Sequence, residues 1–242
     1  MAESVPSTAM VFAAGMGTRM RPVTDHLPKP LVRIGGRTML DHMLDRLGAA
    51  GVGRAVVNIH YLADRIEEHL TDRVSPAITL SDERSRLLDQ AGGIRRALPA
   101  LGPDPFVICN TDALWIAGPQ PNLPRLFGDW DPERMDVLLL VAEAATSVGV
   151  DWPGDFHMDP EGRLTRRHEG DVAPFVYAGV GIMKPESFAD LTDGTPVRLA
   201  PFFFDAAEKG RLYGTRLDGQ WLHVGTPEAI AEAEAAIAAS VA

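Results

Sequence analysis

Three short runs in this chain, residues 9–14, Ala55-Val56-Val57-Asn58-Ile59 and Phe106-Val107-Ile108-Cys109, are almost wholly apolar, and stretches with helical periodicity lie between them. A run that is apolar at nearly every position suits a strand covered on both faces, as in a parallel sheet. Between the first two runs, Met39, Leu40, Met43, Leu44 and Leu47 form one stripe at helical spacing, with Gly48 and Gly51 beyond it as stop signals. A second helix is expected over residues 62–70. Strands alternating with helices at this interval require right-handed crossovers and a largely parallel sheet, so the fold class is α/β, Rossmann-like in the broad sense.

The order changes in the second half. Val137-Leu138-Leu139-Leu140-Val141 reads as another buried strand, but residues 151–167 are rich in Gly, Pro and charge, with short alternating pieces around Phe156-His157-Met158 and Arg163-Leu164-Thr165. A small β excursion is expected there. A strand over 175–183 then returns to the core, and helices are expected over 201–209 and 229–239. No repeat or linker divides the chain, so residues 8–242 are expected to form one domain behind a disordered tail over 1–7.

Composition excludes several classes of function. A formal net charge of −10 and a pI near 5.1 argue against nonspecific binding to nucleic acid or to an anionic membrane. The single cysteine, Cys109, forms no intramolecular disulfide, and no apolar run approaches the roughly 20 residues of a membrane helix. The first residues lack the basic start and apolar core of a secretory signal, so a cytoplasmic location is expected.

The first apolar run empties into Gly15-Met16-Gly17-Thr18-Arg19-Met20-Arg21-Pro22, followed by Leu27-Pro28-Lys29-Pro30-Leu31. Gly15 and Gly17 let the backbone turn with positive φ and bring N–H groups close to an anion. Arg19, Arg21 and Lys29 supply the charge that a polyphosphate requires, and Pro28 and Pro30 restrict the backbone on both sides of Lys29. The dinucleotide fingerprint would need a third glycine where Met20 stands, and the P-loop would need Gly-Lys-Ser/Thr, so neither motif fits. Gly-x-Gly alone is equally a solvated turn; the flanking basic residues favour a phosphate site.

Asp112 follows the third apolar run and should sit at the carboxyl end of a parallel strand, where open α/β sheets bind ligands. A carboxylate there can hold Mg2+ against nucleotide phosphates, or simply cap the next segment. Phosphate groups brought together in an acidic protein repel each other, which makes a divalent cation part of the expectation.

The segments Ala13-Ala14-Gly15-Met16-Gly17-Thr18-Arg19-Met20-Arg21-Pro22 with Pro28-Lys29-Pro30-Leu31, then Asn110-Thr111-Asp112, and finally Gln220-Trp221-Leu222-His223-Val224-Gly225-Thr226-Pro227 resemble the motifs of the sugar-1-phosphate nucleotidyltransferases, or nucleotide-sugar pyrophosphorylases. The resemblance spans nearly the whole chain. Its compact length and Gly154-Asp155-Phe156 bring it nearest to the family's uridylyltransferases of cell-wall recycling. The resemblance implies a GT-A-like nucleotidyltransferase fold whose β excursion holds the sugar. It also implies a nucleoside triphosphate, UTP first, and a sugar 1-phosphate as partners, in a monomer or small homo-oligomer.

By the same resemblance Arg19 and Lys29 are the catalytic residues, and Ala14, Gly15, Met16, Gly17 and Thr18 hold the nucleotide. Gln90 and Gly92, in a loop over residues 88–93 that precedes a helix, would read the base, and Asn110 would bond ribose or sugar. Gly149, Asp155 and Gly179 fall where the family contacts its sugar. Asp112 and His223 would hold the metal. The family commonly has aspartate where His223 stands, and an imidazole nitrogen suits Mn2+ or Co2+ better than Mg2+. Mg2+ is therefore the expected cofactor, with Mn2+ or Co2+ relatively better supported; His223 packed beside Trp221 without a metal is the simpler alternative. The family also leaves open a guanylyl- or cytidylyltransferase for mannose phosphate, heptose phosphate or phosphocholine, and a nucleotide-sugar-binding regulator without turnover.

Overall fold

The computed structural model of the protein describes residues 6–241. Along the chain the elements are β1 (Thr8–Phe12), β2 (Arg33–Ile34), β3 (Arg37–Thr38), α1 (Met39–Ala49), β4 (Arg54–Ile59), α2 (Ala63–Leu70) and β5 (Ala77–Asp82). Then follow α3 (Asp89–Leu101), β6 (Phe106–Asn110), β7 (Ala113–Ala117), α4 (Asn122–Gly128), β8 (Val137–Glu143), β9 (Phe156–Met158) and β10 (Leu164–Arg166). The last are β11 (Phe175–Met183), α5 (Ala200–Glu208), β12 (Leu212–Arg216), β13 (Gly219–His223) and α6 (Pro227–Val241).

Among the described residues, nine strands form one mixed sheet. β1 pairs in parallel with β4 on one side and β6 on the other, and β4 continues in parallel to β5. β11 runs antiparallel to β6 and to β8, and β12 closes that edge parallel to β8. The expected β excursion is the hairpin β9–β10, which joins the large sheet through Phe156 opposite Phe175. A separate two-stranded ladder pairs β7 with β13.

The apolar runs are buried on both faces, as their composition requires. Ala9, Val11, Val57 and Val107 face a layer containing α1, α2 and α4, whereas Met10, Val56, Phe106 and Ile108 face α3 and α5. A third cluster of Met20, Ile34, Leu114, Leu222 and Val224 packs with Ala233 of α6. The chain leaves β1 toward β4 on one side and later returns to β6 on the other. Strand order therefore reverses between β1 and β6, which opens a crevice at their carboxyl ends.

Two expectations need correction at their boundaries. β1 ends at Phe12, two residues before the apolar run does, because Ala13 and Ala14 have turned away from the ladder. The segment read as a loop over 88–93 is mostly helix: α3 starts at Asp89. The expected tail over 1–7 falls largely outside the described residues. Of its described part, Pro6 is buried and the Ser7 carbonyl accepts from Gly53 N–H and Arg54 N–H at 3.1 and 3.2 Å.

Ile66 of α2 has no exposed surface and does not line the cavity in the crevice. Ile66→Ala should lower the unfolding free energy by about 2–5 kcal/mol, read as a lower urea midpoint at unchanged m-value.

Candidate active site

The glycine loop is held from beneath. Gly17 has φ +62°, and a Cβ there would lie 3.0 Å from Thr24 Cγ2. Its carbonyl accepts from Met20 N–H at 2.9 Å and from the buried Thr24 hydroxyl at 2.7 Å. Met20 plugs the third cluster, so the turn is anchored while Gly15, Thr18 and Arg19 stay exposed. The preceding amides are already engaged: Ala13 and Ala14 N–H donate to Asn58 Oδ1 at 2.7 and 3.3 Å.

A cavity of about 540 Å³ occupies the crevice. Ala14, Gly15, Gly17, Thr18, Arg19 and Lys29 form one wall, and Gln90, Asn110 and Asp112 another. Lys29, in a single 3-10 turn between the buried Pro28 and Pro30, donates from Nζ to Asp112 Oδ2 at 2.6 Å. The two side chains are only 15% and 23% exposed. Burial works to raise the Asp112 pKa, but the Lys29 ammonium, assisted by His223, outweighs it and holds the carboxyl below its ordinary value. Gln90 Nε2 donates to Asn110 Oδ1 at 2.9 Å and so ties α3 to the end of β6.

His223 lies behind this wall without lining the cavity itself: the small ladder sets it opposite Ala113, next to Asp112. Its ring lies 5.3 Å from that of Trp152, edge-on, and 5.4 Å from that of Trp221. Nε2 faces Gly225, a cavity residue where a Cβ would come within 2.7 Å of that nitrogen and 3.6 Å of Arg19 Nη1. Burial lowers the His223 pKa, with Lys29 and Arg19 adding to the effect against Asp112 and Asp151. The imidazole is neutral at pH 7 and keeps a lone pair for coordination. Among the described residues no three His, Cys, Asp or Glu side chains group as a metal site. Asp112 and His223 could therefore hold a cation only together with ligand oxygens.

Other singled-out residues stand apart from the cavity lining. Met16 is exposed beside it. Gly92 is buried within α3, where Ala91 and Gly92 N–H donate to the Val197 carbonyl at 2.9 and 3.3 Å and a Cβ would strike the Thr195 carbonyl oxygen. Its amide is thus spent on packing rather than open to a base. Asp155 is also satisfied internally: it accepts from Trp152 Nε1 at 3.1 Å and from Tyr177 N–H at 2.9 Å, and burial raises its pKa. Through Trp152 it supports the face against which His223 rests. Gly149, with φ +75°, lets its backbone pass the His223 carbonyl, and Gly179, with φ +82°, lies against Ala113 and Asn110. The Tyr177 hydroxyl is buried without a hydrogen-bond partner among the described residues.

Residues 9–159 match the family model of the MobA-like NTP transferase domain. The chain is 46% identical to N-acetylmuramate alpha-1-phosphate uridylyltransferase of Caulobacter vibrioides, over 96% of this chain and 98% of that protein. It is 34% identical to the protein of the same name from Neisseria meningitidis serogroup B, over 94% and 96% of the two chains. The chain belongs to the NTP transferase family. It is a nucleotidyltransferase acting on a sugar 1-phosphate. A structure of UDP-glucose pyrophosphorylase with UDP-glucose superposes with TM-score 0.78 at 16% identity, covering 97% of this chain and 99% of that one, which shows the common fold.

Sequence reasoning about this transferase overlooked Asn58 and Trp152. Asn58 was legible as the one polar residue in its apolar run, close to a strand's carboxyl end. Trp152 carried no motif, and its place at His223 follows only from the folded chain.

A lowered His223 pKa means that the folded protein binds fewer protons at this site than the unfolded chain does. The associated stability is present above the ordinary value of 6.5 and is lost as pH falls through the folded value. Between pH 7 and pH 5, His223→Gln should lose less thermal stability than the parent protein, both measured without nucleotide.

Proposed function

We propose that this nucleotidyltransferase transfers a uridylyl group from UTP to N-acetylmuramate 1-phosphate, releasing pyrophosphate. The observation that carries the reaction type is the convergence of Arg19, Lys29 and Asp112 on one cavity at the strand-order reversal. The donor and acceptor rest on the two relatives that bear that name. The catalytic unit is taken as one domain over residues 8–242 acting in the cytoplasm.

In this reading an oxygen of the ionised sugar phosphate attacks the α-phosphorus of UTP. A new P–O bond forms as the bond to the β-phosphate oxygen breaks, and pyrophosphate leaves with that electron pair. The attacking group needs no protein base, so catalysis is positioning and charge neutralisation. The amides of Gly15, Met16, Gly17 and Thr18, ahead of Arg19, meet the β and γ phosphates; the Ala14 amide is held by Asn58 and contributes through the wall it builds. Arg19 neutralises the leaving pyrophosphate, and Lys29 holds the attacking and α phosphates. Gln90, bonded to Asn110, fixes the base and ribose side. Gly149 and Gly179 leave room for the pyranose, and the unpartnered Tyr177 hydroxyl has a donor to offer it.

Asp112 and His223 fit a divalent cation shared with nucleotide oxygens: one carboxylate and one neutral imidazole, adjacent across the small ladder. Such a cation would offset phosphate charge as the leaving group departs. The imidazole favours Mn2+ or Co2+ relative to Mg2+.

The test is pyrophosphate release with UTP, GTP, CTP, ATP and dTTP against a panel of sugar 1-phosphates. Turnover confined to UTP with N-acetylmuramate 1-phosphate is expected; preference for GTP with mannose 1-phosphate would replace the substrate assignment. Lys29→Ala should cut kcat by about 10²–10³ while the protein remains folded, and full turnover in that variant would remove Lys29 from the mechanism. His223→Asp should raise Mg2+-supported rate relative to Mn2+-supported rate, whereas identical metal profiles would leave His223 as a packing residue.

A further inference from the structure

Beneath the cavity lies a charged group that the reaction scheme does not use. Glu83 follows β5, has no exposed surface, and is anchored by its own N–H to the Ile59 carbonyl at 2.8 Å. Its Oε1 accepts from Asn58 Nδ2 at 2.8 Å and its Oε2 accepts from Leu88 N–H at 3.0 Å. Asn58, 3% exposed, turns its Oδ1 to the Ala13 and Ala14 amides. Leu88 immediately precedes Asp89 and Gln90, both cavity residues. One buried carboxylate thus connects the glycine-loop wall to the start of α3.

The polarity of this relay follows from what each group can do. A carboxylate only accepts, so Glu83 requires the NH2 end of Asn58 to point toward it. The carbonyl end of Asn58 is then the one presented to the loop, where two N–H donors need an acceptor. A flipped Asn58 would set NH2 against both amides and leave Oδ1 facing Glu83. An amide at position 83 could adopt the opposite polarity and would no longer enforce this orientation. Gly93 belongs to the same arrangement, since a Cβ there would come within 2.7 Å of Glu83 Oε1.

We propose that Glu83 is a positioning residue for the nucleoside triphosphate: acting through Asn58 and Leu88, it sets the spacing between the phosphate-binding loop and the base-side end of α3. Burial of this carboxyl raises its pKa, so holding it here carries an energetic cost that a core-filling side chain would not incur. The inference rests on the nucleotide reading of the cavity.

Calorimetric binding of UTP to the wild-type protein with divalent cation and without sugar phosphate comes first; absence of binding overturns both that reading and this proposal. Given binding, Glu83→Gln should raise KM for UTP about tenfold, the scale of one buried hydrogen bond, and leave KM for the sugar phosphate within about twofold. In a double-mutant cycle with Asn58→Ala, the double variant should be little worse than Asn58→Ala alone, because the two residues act in series. Unchanged UTP parameters, equal losses on both substrates together with a lowered Tm, or independent multiplying effects would each overturn the proposal. Glu83→Met keeps the volume without the acceptors and is measured alongside. If neither position-83 variant folds while Asn58→Ala folds with normal UTP affinity, Glu83 serves folding only and the proposal fails.

Discussion

The Lys29–Asp112 ion pair is the contact on which the site depends. It joins residues 83 positions apart, one from the proline-bounded turn after the glycine loop and one from beyond β6, across the point where strand order reverses. At this degree of burial the pair is neither a surface contact of small value nor a dry interior one, and desolvation of each ion is offset by the other. Each partner holds the other at the mouth of the crevice, so positive and negative charge already stand where a phosphate and a cation would displace or share them. The β7–β13 ladder then adds His223 from a distant part of the chain.

The amides of the first loop fall into two groups, those engaged by Asn58 and those without a protein acceptor among the described residues. Asn58 takes the first two and the Gly17 carbonyl latches the turn to Met20 and Thr24, so the stretch over 15–18 inherits a fixed shape without spending its own backbone donors. This explains how an acidic protein can offer a site for a polyanion. On the proposed reading the attraction comes from Arg19, Lys29 and oriented N–H groups in a small volume, while apart from Asp89 and Asp112 the acidic residues lie outside the cavity.

Most of the framework was legible because burial on both faces leaves a composition that few other arrangements tolerate. The runs at 55–59 and 106–109 are strands, as is the 9–14 run up to Phe12, the stripe from Met39 to Leu47 lies in α1, and the strand over 175–183 is β11. What could not be read depends on neighbours distant in sequence. Gly92 and Gly93 look like loop residues locally, yet both lie in a helix, at positions where residues 195–197 and Glu83 approach too closely for a Cβ. The short ladder of β7 and β13 has little periodicity of its own, and only the pairing makes His223 a neighbour of Asp112. Asp155 shows the converse: it lies behind Trp152, outside the cavity lining, and its oxygens are occupied by Trp152 and Tyr177.

His223 changes the electrostatic character of this site more than its geometry. Flanked by two indole rings, it occupies a setting in which a carboxylate would be poorly solvated, and burial keeps the imidazole uncharged. A neutral residue there leaves one net positive charge among Arg19, Lys29 and Asp112, whereas a second carboxylate would cancel it. Asp89 on the base side balances that charge, so on the proposed reading the nucleotide phosphates meet a cavity lining of no net charge, which a second carboxylate would turn negative. Compared with a two-carboxylate site, the protein's own basic side chains carry more of the hold on the triphosphate, and a cation held by Asp112 and His223 would supply neutralisation of the charge that develops on the departing pyrophosphate.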